Sequence, residues 1–465
     1  MSDKNIEMAR KIAAAVEQAG GRAYYVGGYV RDQFLGRESK DVDIEIHGIS
    51  VQDLQDILDT FGERLTYGVS FGIMSLRHFE LDIAMPRSEE EAGRGQKDFA
   101  AFVDPFIGEE KAALRRDFTM NSLMKNVLSG EVLDFFNGIE DINHRRIRHV
   151  NHQTFAEDPL RVFRAAQFAA RFGFSVADET RELASTLDVS TLPGERIMTE
   201  LEKALLKADK PSVFFEELRT MRQLSGWFPE LERLIGTPQN PRFHPEGDVW
   251  THTMQVLDEA ANLRNKATEP LWFMLSALCH DFGKAAVTTE KDSDVHAYGH
   301  EREGLPLVRS FLGRITNEVK LMEYVLNMIE MHMEPMQKVR DGALIRSYMK
   351  MFDRSVCPED MLLLAKADYM GRKDAGTDGS AIAEEYREVE LKLQKMLSVY
   401  EERMSSPYLT GKDLIEAGVE PGPVFGEALS YAHKLRLNGK SKEEQLRHTL
   451  GWIRKDCVRE RQGKF

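Results

Sequence analysis

The sequence predicts an α+β domain with a small mixed sheet at the N-terminus, followed by an all-α remainder. Up to about residue 150, short stretches in which apolar and polar residues alternate, as they do in β-strands, lie between helical patterns. From about residue 153, apolar residues recur at helical spacing almost to the end. At 465 residues the chain is long for one core, and a prior of about one domain per 150 residues suggests about three domains.

The predicted elements of the first domain begin with an amphipathic helix over residues 1–20. A strand, a helix, a strand, a helix and several short strands follow, over RAYYVGG, YVRDQFLG, KDVDIEIHG, VQDLQDILDTFG and FGIMSLRHFELDIAMPR. In the helical remainder, breaks are predicted at 236–248, which is rich in proline and glycine, and at 373–381. We therefore predict four segments, at 1–150, 151–238, 239–380 and 381–465.

Composition and charge restrict the class of protein. With 42% hydrophobic and 30% charged residues, the chain has an ordinary globular composition. No apolar run approaches the roughly 20 residues that span a membrane, and the start MSDKNIEMAR lacks the apolar core of a secretion signal. Three widely separated cysteines without metal-like spacing fit a reducing cytoplasm. The net charge of −14 is only weak evidence against nucleic-acid binding, because it is compatible with a local basic groove.

Carboxylates are concentrated on one face of the strand KDVDIEIHG (40–48), where Asp41 and Asp43 alternate with apolar residues. One interpretation is a strand whose polar face is solvated. The other is a cation site, because neighbouring like charges repel unless a cation lies between them. In FELDIAMPR, Asp82 alternates in the same way and can add a third carboxylate from a neighbouring strand. Such a set of hard oxygen ligands suits Mg²⁺, which also binds substrate phosphates.

Two further motifs accompany these carboxylates. In VGGYVRD (26–32), Gly27 and Gly28 lie in a strand-to-helix turn, where backbone N–H groups can approach a phosphate. An ordinary turn is the alternative. The segment LRRDFTMNSL (114–123) brings several polar side chains together, with a solvated helix start as the alternative; they are Arg115, Arg116, Asp117 and Asn121.

Five motifs carry a resemblance to a known family. They are GGYVRD, KDVDIEI, RRDFTMNSL, LDFFNGIEDINHRRIRHV (133–150) and EDPLRVFRAAQFAARFGF (157–174). In this order and spacing they resemble the class II tRNA nucleotidyltransferase/poly(A) polymerase family over about residues 20–235. The resemblance implies a nucleotidyltransferase palm similar to that of DNA polymerase β. It also implies nucleotidyl transfer to an RNA 3′ end without a nucleic-acid template.

The resemblance implies roles for individual residues. Asp41 and Asp43 would bind Mg²⁺, with Asp82 as a further catalytic carboxylate. The residues implied to contact the triphosphate and sugar of the incoming nucleotide are Gly27, Gly28, Arg31, Arg115, Arg116, Asp117 and Asn121. The hinge-like motif would comprise Asp134, Gly138 and Asp141, and we expect Asp141 to contact Arg145 or Arg146. The acidic segment RSEEEAGRGQKDF (87–99) falls where family members carry a flexible loop needed for switching from C to A addition.

Asp158 and Arg161 in EDPLRVFR match the family's pair that replaces a template base. Asp158 can accept a hydrogen bond from the exocyclic amino group that cytosine and adenine share, while Arg161 donates to ring acceptors. Arg164 lies on the same helical turn and belongs to the same predicted nucleotide site. Without the resemblance, surface ion pairs would be the preferred interpretation of Arg161 and Arg164.

The second half of the sequence contains a separate set of histidines and aspartates: His252, His280, Asp281, His300, His332 and Asp368. The predicted helix 271–282 is apolar until His280 and Asp281, and a metal ion would satisfy a buried His-Asp pair. Any one of these histidines alone is more often structural. The order His…His-Asp…Asp resembles HD-domain phosphohydrolases, which implies the ligands His252, His280, Asp281 and Asp368. Mixed imidazole and carboxylate ligands suit Mn, Fe, Co or Ni better than Mg.

An HD domain behind this nucleotidyltransferase resembles the bacterial multifunctional CCA proteins. The four segments would then be a nucleotidyltransferase head, a neck and body, an HD phosphohydrolase and a tRNA-binding tail. The resemblance implies a cytoplasmic enzyme that completes tRNA 3′ ends from CTP and ATP, and an HD domain that acts on 2′,3′-cyclic phosphates, 2′-nucleotides and phosphate esters. It implies no membrane or protein partner. The alternatives are an enzyme that adds only CC or only A, a poly(A) polymerase, and an RNA-binding relic with an active HD domain.

Overall fold

The computed structural model describes residues 2–38, 41–66, 73–90, 100–291, 294–373 and 379–462. Most of the acidic segment 87–99 and part of the predicted break at 373–381 lie outside these residues. The chain forms two compact units. The first comprises Met1–Ala204 and Val213–Trp227, and the second comprises Leu205–Ser212 and Phe228–Phe465. The four-segment division remains a prediction.

Strands are concentrated in the first third of the chain. They are β1 (Arg22–Val26), β2 (Val42–His47), β3 (Arg64–Thr66), β4 (Ile73–Leu76), β5 (Leu81–Ala84), β6 (Arg87–Glu90), β7 (Ala100–Val103), β8 (Met124–Asn126), β9 (Val132–Leu133), β10 (Arg146–Ile147), β11 (Ser175–Val176), β12 (Thr289–Lys291) and β13 (Asp294–His296). The described strands include one seven-stranded sheet in the order β3-β4-β5-β2-β1-β8-β9. In it β2 pairs antiparallel with β1 and parallel with β5, so the sheet is mixed, as predicted.

Helices surround this sheet and form nearly all of the remainder. Up to residue 232 they are α1 (Ser2–Gln18), α2 (Gly28–Phe34), α3 (Val51–Asp59), α4 (Glu109–Leu114), α5 (Gly138–Asn143), α6 (His152–Glu157), α7 (Leu160–Phe172), α8 (Asp178–Ser185), α9 (Gly194–Lys207), α10 (Ser212–Thr220) and α11 (Pro229–Glu232). The apolar stripe of α1 is buried at Ala9, Ile12 and Val16, which is the pattern that predicted an amphipathic helix. Ser50 caps α3 by accepting a hydrogen bond from the backbone N–H of Asp53.

The rest of the chain continues with α12 (Val249–Leu263), α13 (Pro270–Cys279), α14 (Lys284–Val287), α15 (His300–Ile315), α16 (Val319–Met331), α17 (Glu334–Arg340), α18 (Ile345–Arg354), α19 (Pro358–Met370), α20 (Gly379–Ser405), α21 (Gly411–Glu416), α22 (Val424–Leu437) and α23 (Lys442–Gln462). Short 3-10 helices lie at Thr119–Asn121 and Arg264–Lys266. The α+β and all-α prediction is confirmed, with strand β11, which pairs with β10, and the small β12–β13 hairpin as additions. Among the described residues, no helix has both the length and the apolar character needed to cross a membrane.

The core of the second unit explains where its polar cluster lies. Helix α13 is apolar on every side and buried from Phe273 to Cys279, so it runs through the core. It ends three residues earlier than predicted, with His280 as its C-cap. The dyad His280-Asp281 therefore leaves a buried helix end inside the unit, where each side chain is 1% exposed.

Candidate functional site

The pairing of β2 with β5 brings the predicted carboxylates together. Asp43 lies directly opposite Asp82 on the parallel neighbour, and Asp41 precedes β2 by one residue. Burial, and then the neighbouring Asp82 carboxylate, raises the pKa of Asp43 to about 6, while Arg116 opposes this shift. A raised pKa means that ionised Asp43 is electrostatically destabilised here, which a bound cation would relieve.

After Asp43, the polar residues of β2 are buried rather than exposed to solvent. Glu45 is 6% exposed and His47 is 3% exposed. The Arg116 guanidinium donates from Nη2 to Glu45 Oε2 at 2.7 Å, and His47 Nε2 lies 3.0 Å from Glu45 Oε1. Sequence analysis missed Glu45 and His47. The signal was present, because the same alternation continues through both residues.

The glycine turn lies beside this cluster. Gly27 has φ 61°, a conformation that favours glycine, and it immediately precedes α2. A Cβ atom at Gly27 would lie 3.9 Å from Nη1 of Arg116, so the turn and this guanidinium are neighbours. Arg31 is buried; its Nη1 donates to Asn121 Oδ1 at 2.7 Å and its Nη2 to Asp32 Oδ1 at 2.7 Å. Arg31 and Asn121 therefore form one fixed unit next to the turn.

Asp117 links the arginine motif to helix α7. Its Oδ2 accepts from Nε of Arg164 at 2.7 Å, and its Oδ1 accepts from Nδ2 of Asn121 at 2.9 Å. Although burial alone would raise it, the pKa of Asp117 lies below its usual value because of Arg164 and Asn121. Arg164 is thus an ion-pair partner of Asp117. Through this pair, helix α7 is connected to the predicted nucleotide site.

The side chains of the predicted base-reading residues bind other partners, although the backbone N–H of Arg161 donates to the backbone carbonyl of Asp158 at 3.0 Å. Arg161 donates from Nη1 to the backbone carbonyl of Thr154 at 2.7 Å and from Nη2 to that of Arg115 at 2.8 Å. Asp158 accepts from Arg196 at 3.0 Å. Two carbonyls therefore fix the plane of the Arg161 guanidinium, which is a preorganised donor rather than a mobile surface charge.

The hinge-like motif requires one correction. Asp134 accepts from the backbone N–H of Gly138 at 2.7 Å and so stabilises the start of α5. Asp141 accepts from Thr119 Oγ1 at 2.7 Å and from Nε of Arg148 at 3.1 Å. The expectation of Arg145 or Arg146 as the partner was wrong. Arg145 has φ 52° in the turn after α5 and Arg146 is exposed, so neither is the residue that reaches back to Asp141.

The six histidines and aspartates of the second half meet in one buried cluster. His252 lies on α12, His280 caps α13, His300 starts α15, His332 caps α16, and Asp368 lies on α19. Every one of these side chains, with Asp281, is buried. His280 Nε2 lies 3.1 Å from Oδ2 of Asp281. His300 Nε2 lies 3.3 Å from the other oxygen, Oδ1. His252 Nε2 lies 3.1 Å from Asp368 Oδ1 and 3.6 Å from Asp281 Oδ2.

This cluster fits a metal ion. Oδ2 of Asp281 lies 2.6 Å from Nζ of Lys284, but Oδ1 of Asp281 and Nε2 of His280 are buried without a hydrogen bond of normal geometry. Leaving such atoms unsatisfied costs about 1–3 kcal/mol each. Burial, helped by His300 and His280, lowers the pKa of His332 to about 3, which keeps its imidazole in the neutral form that binds metals. Within the described residues, the triads His252-His280-Asp281 and Asp281-His300-His332 have metal-binding spacing.

Two residues behind this cluster escaped the sequence analysis. Oε1 of Glu246, whose side chain is fully buried, lies 2.7 Å from Nδ1 of His252 and 2.9 Å from Nδ1 of His244. Although burial alone would raise it, these two imidazoles lower the pKa of Glu246 to about 2. A carboxylate at Nδ1 orients an imidazole and directs its Nε2 toward the opposite side. The segment HPEGDVWTH carried this signal, but its proline and glycine indicated only a break.

Gly283, two residues after Asp281, allows two backbone segments to pack closely beside the dyad His280-Asp281. A Cβ atom at Gly283 would lie 2.0 Å from the carbonyl oxygen of His300 and 2.7 Å from the backbone nitrogen of Gly304. Gly283 therefore permits a close approach between the start of α14 and the first turn of α15, which holds His300 near Asp281.

Two family models match the chain. The poly(A) polymerase head domain matches residues 23–148, and the HD domain matches residues 249–372. These ranges contain the carboxylate site and the histidine cluster, respectively. Domains of both kinds generally use divalent metals.

Solved structures share the fold. The CCA-adding enzyme of Bacillus stearothermophilus in complex with CTP is 21% identical with a TM-score of 0.65, covering 98% of this chain and 99% of that one. The CCA-adding enzyme of Thermotoga maritima complexed with tRNA_CCA is 18% identical with a TM-score of 0.61, covering 96% of this chain and 95% of that one.

A curated relative is more similar in sequence. The multifunctional CCA protein of Pasteurella multocida (strain Pm70) is 36% identical over 367 residues, which cover 76% of this chain and 84% of that protein. This similarity spans most of both chains. The chain therefore belongs to the multifunctional CCA protein family.

Proposed function

We propose that this protein adds and repairs the 3′-terminal CCA of tRNA from CTP and ATP without a nucleic-acid template. The observation that carries the proposal is the register of β2 and β5, which places Asp43 opposite Asp82 with Asp41 one residue before the strand. Membership of the multifunctional CCA protein family supports it, as do similar folds whose structures contain CTP or tRNA_CCA.

The chain's own residues divide the work of binding. Asp41, Asp43 and Asp82 would hold Mg²⁺, which when bound activates the attacking 3′-hydroxyl and stabilises the leaving pyrophosphate. The backbone at Gly27 and the guanidinium of Arg116 would bind the triphosphate, because they are neighbours and both present N–H donors. The 3′-hydroxyl of the RNA then attacks the α-phosphorus, and pyrophosphate leaves.

Nucleotide choice would rest on Asp158 and Arg161. Cytosine and adenine both carry an amino group beside a ring nitrogen, whereas uracil and guanine present the opposite pattern. Two backbone carbonyls hold the Arg161 guanidinium in place, so a wrong base would leave its donor unpaired instead of displacing it.

A second activity is proposed for the histidine cluster. The buried Asp281 carboxylate, which lies among imidazoles and 2.6 Å from Nζ of Lys284, supports a metal-dependent phosphohydrolase of the HD type. His252, His280, Asp281 and Asp368 would hold the ion, and this donor set favours Ni²⁺, Co²⁺ or Mn²⁺ over Mg²⁺. Such an ion would supply Lewis-acid chemistry for phosphate esters, with 2′,3′-cyclic phosphates and 2′-nucleotides as the proposed substrates.

One assay separates the proposed function from its rivals. Purified protein is incubated with tRNAs that end before the first C, before the second C and before the terminal A, each with one labelled nucleotide. CCA addition predicts C, C and A, respectively. Incorporation of only C or only A would identify a partial enzyme, and long A tails would identify a poly(A) polymerase. Asp41→Ala provides the inactive control.

The hydrolase is tested separately. Hydrolysis of 2′,3′-cyclic AMP to AMP, and release of phosphate from 2′-AMP, should both depend on added Ni²⁺, Co²⁺ or Mn²⁺. Absence of metal-stimulated hydrolysis of both substrates would mean that the cluster has only a structural role.

A further inference from the structure

The strand that carries Asp43 contains a second acidic side chain whose partner belongs to the proposed nucleotide site. We propose that Glu45 is a positioning residue that holds Arg116 at the triphosphate and keeps it away from Asp43. This inference rests on the proposed nucleotidyl transfer. It adds to that site a positioning residue that neither the motif nor the fold assigns.

Both oxygens of Glu45 are committed to neighbours. Oε2 accepts from Nη2 of Arg116 at 2.7 Å, while Oε1 lies 3.0 Å from Nε2 of His47 on the same strand face. The Glu45 side chain is 9% exposed, so water competes little for either contact. A carboxylate fixed at both oxygens fixes the guanidinium bound to it, because a charge-assisted hydrogen bond is short and directional.

One terminal nitrogen of Arg116, Nη1, lies beside the glycine turn. Nη1 is the atom that a Cβ at Gly27 would approach, at 3.9 Å. With Nη2 engaged by Glu45, Nη1 stays directed at the turn where the triphosphate is proposed to bind. Glu45 thus selects one of the orientations that a five-donor guanidinium can adopt.

Asp43 is the competing partner. Alternate residues of a strand share a face, so Asp43 and Glu45 lie about 7 Å apart along β2. The positive charge of Arg116 opposes the raised pKa of Asp43, so the guanidinium paired with Glu45 also acts on this carboxylate. Without the charge of Glu45, the guanidinium would pair with Asp43 and compete with Mg²⁺ for it.

Glu45→Gln tests the inference, because it keeps the shape of the side chain and removes its charge. The matched control is Glu217→Gln. Glu217 pairs with Arg181 at 2.7 Å and is 11% exposed, but it contacts none of the proposed nucleotide residues. At saturating Mg²⁺, which overcomes competition from Arg116 at Asp43, we expect Glu45→Gln to raise KM for CTP and ATP about tenfold, the loss of one charge-assisted contact, and kcat to change less than about twofold. Glu217→Gln should leave both constants unchanged.

Non-additivity shows whether Glu45 acts through Arg116. In an Arg116→Ala background, Glu45→Gln should have no further effect on KM. Arg116→Lys should raise KM like Glu45→Gln, because one ammonium cannot hold Glu45 and face the turn at once. This variant decides the matter if Glu45→Gln melts early. Additive effects, or equal effects of Glu45→Gln and Glu217→Gln, would overturn the inference.

Binding separates failure of this inference from failure of the proposed function. If the wild-type protein adds no nucleotide to tRNA, the proposed function fails. Calorimetric titration with Mg²⁺-CTP then still tests Glu45. The same tenfold loss of affinity supports its positioning role, and equal affinity of the wild-type protein and Glu45→Gln refutes it.

Discussion

Replacing Asp43 with asparagine should stabilise the metal-free first unit and abolish nucleotide addition. The pKa of Asp43 is raised from 3.8 to about 6 by burial and by Asp82. The protonated carboxyl group therefore favours the fold. This contribution is fully present below pH about 4 and is lost as the pH rises through about 6. At neutral pH the wild-type protein carries the full cost of the ionised group, and the amide does not.

The magnitude follows from the pKa difference. At about 1.4 kcal/mol per pKa unit, the shift corresponds to about 3 kcal/mol, and solvent near this half-buried carboxylate reduces it to about 1–2 kcal/mol. For a unit of this size, such a gain raises the melting temperature by about 4 °C. Asp82→Asn should produce a smaller gain, because it removes only the second cause of the shift.

Calorimetric melting in EDTA measures the effect at pH 7.5 and again at pH 4.5. The stabilisation by Asp43→Asn should be present at the higher pH and largely absent at the lower one. Added Mg²⁺ should raise the melting temperature of the wild-type protein more than that of the variant. Equal melting temperatures of both proteins in EDTA, or equal stabilisation by Mg²⁺, would show that ionised Asp43 does not destabilise the metal-free fold.

Three further predictions concern other side chains. Arg161→Ala should increase misincorporation of UTP and GTP, measured with labelled nucleotides; because it also removes two hydrogen bonds to carbonyls, a loss of about 1–2 kcal/mol in stability should accompany it. The double variant His280→Ala, Asp281→Ala should lose metal-stimulated phosphate release but keep CTP and ATP incorporation; loss of both activities in a folded variant would mean that the two are coupled. Glu246→Gln should weaken Ni²⁺ or Co²⁺ binding about 10–100-fold by calorimetric titration, since it disturbs the orientation of His252; unchanged affinity would exclude this role.

Local patterns predicted the sheet and the carboxylates but not what covers them. The alternation of apolar and polar residues in β2 indicates that the strand has two different faces. It does not report that Arg116, 71 residues away, covers Glu45, so the solvated-face interpretation stayed open. Asp82 was predictable because its own strand repeats the pattern. Its exact alignment with Asp43 depends on strand register, which single sequences specify poorly.

Partner choice was the weakest part of the sequence analysis. Asp141 has several arginines nearby in sequence, and the left-handed turn at Arg145 decides that Arg148 is the one that reaches it. The resemblance to HD-domain phosphohydrolases brought together all six members of the histidine cluster, because their order along the sequence matches that family. Glu246 and His244 lie in an irregular segment without periodicity, so only the fold reveals that they contact His252.

The close approach at Gly283 has a consequence for protein engineering. Any side chain there would overlap the carbonyl of His300, so the position accepts only glycine unless α15 moves. In a saturation library selected for phosphate release, position 283 should retain a single residue type. The neighbouring Lys284 is constrained for another reason, because it is buried and its Nζ lies 2.6 Å from Oδ2 of Asp281 and donates to Oε1 of Gln239 at 2.7 Å. A designer who wishes to silence the histidine cluster while leaving its ligands chemically intact would therefore begin with Gly283→Ala, a change of one methyl group.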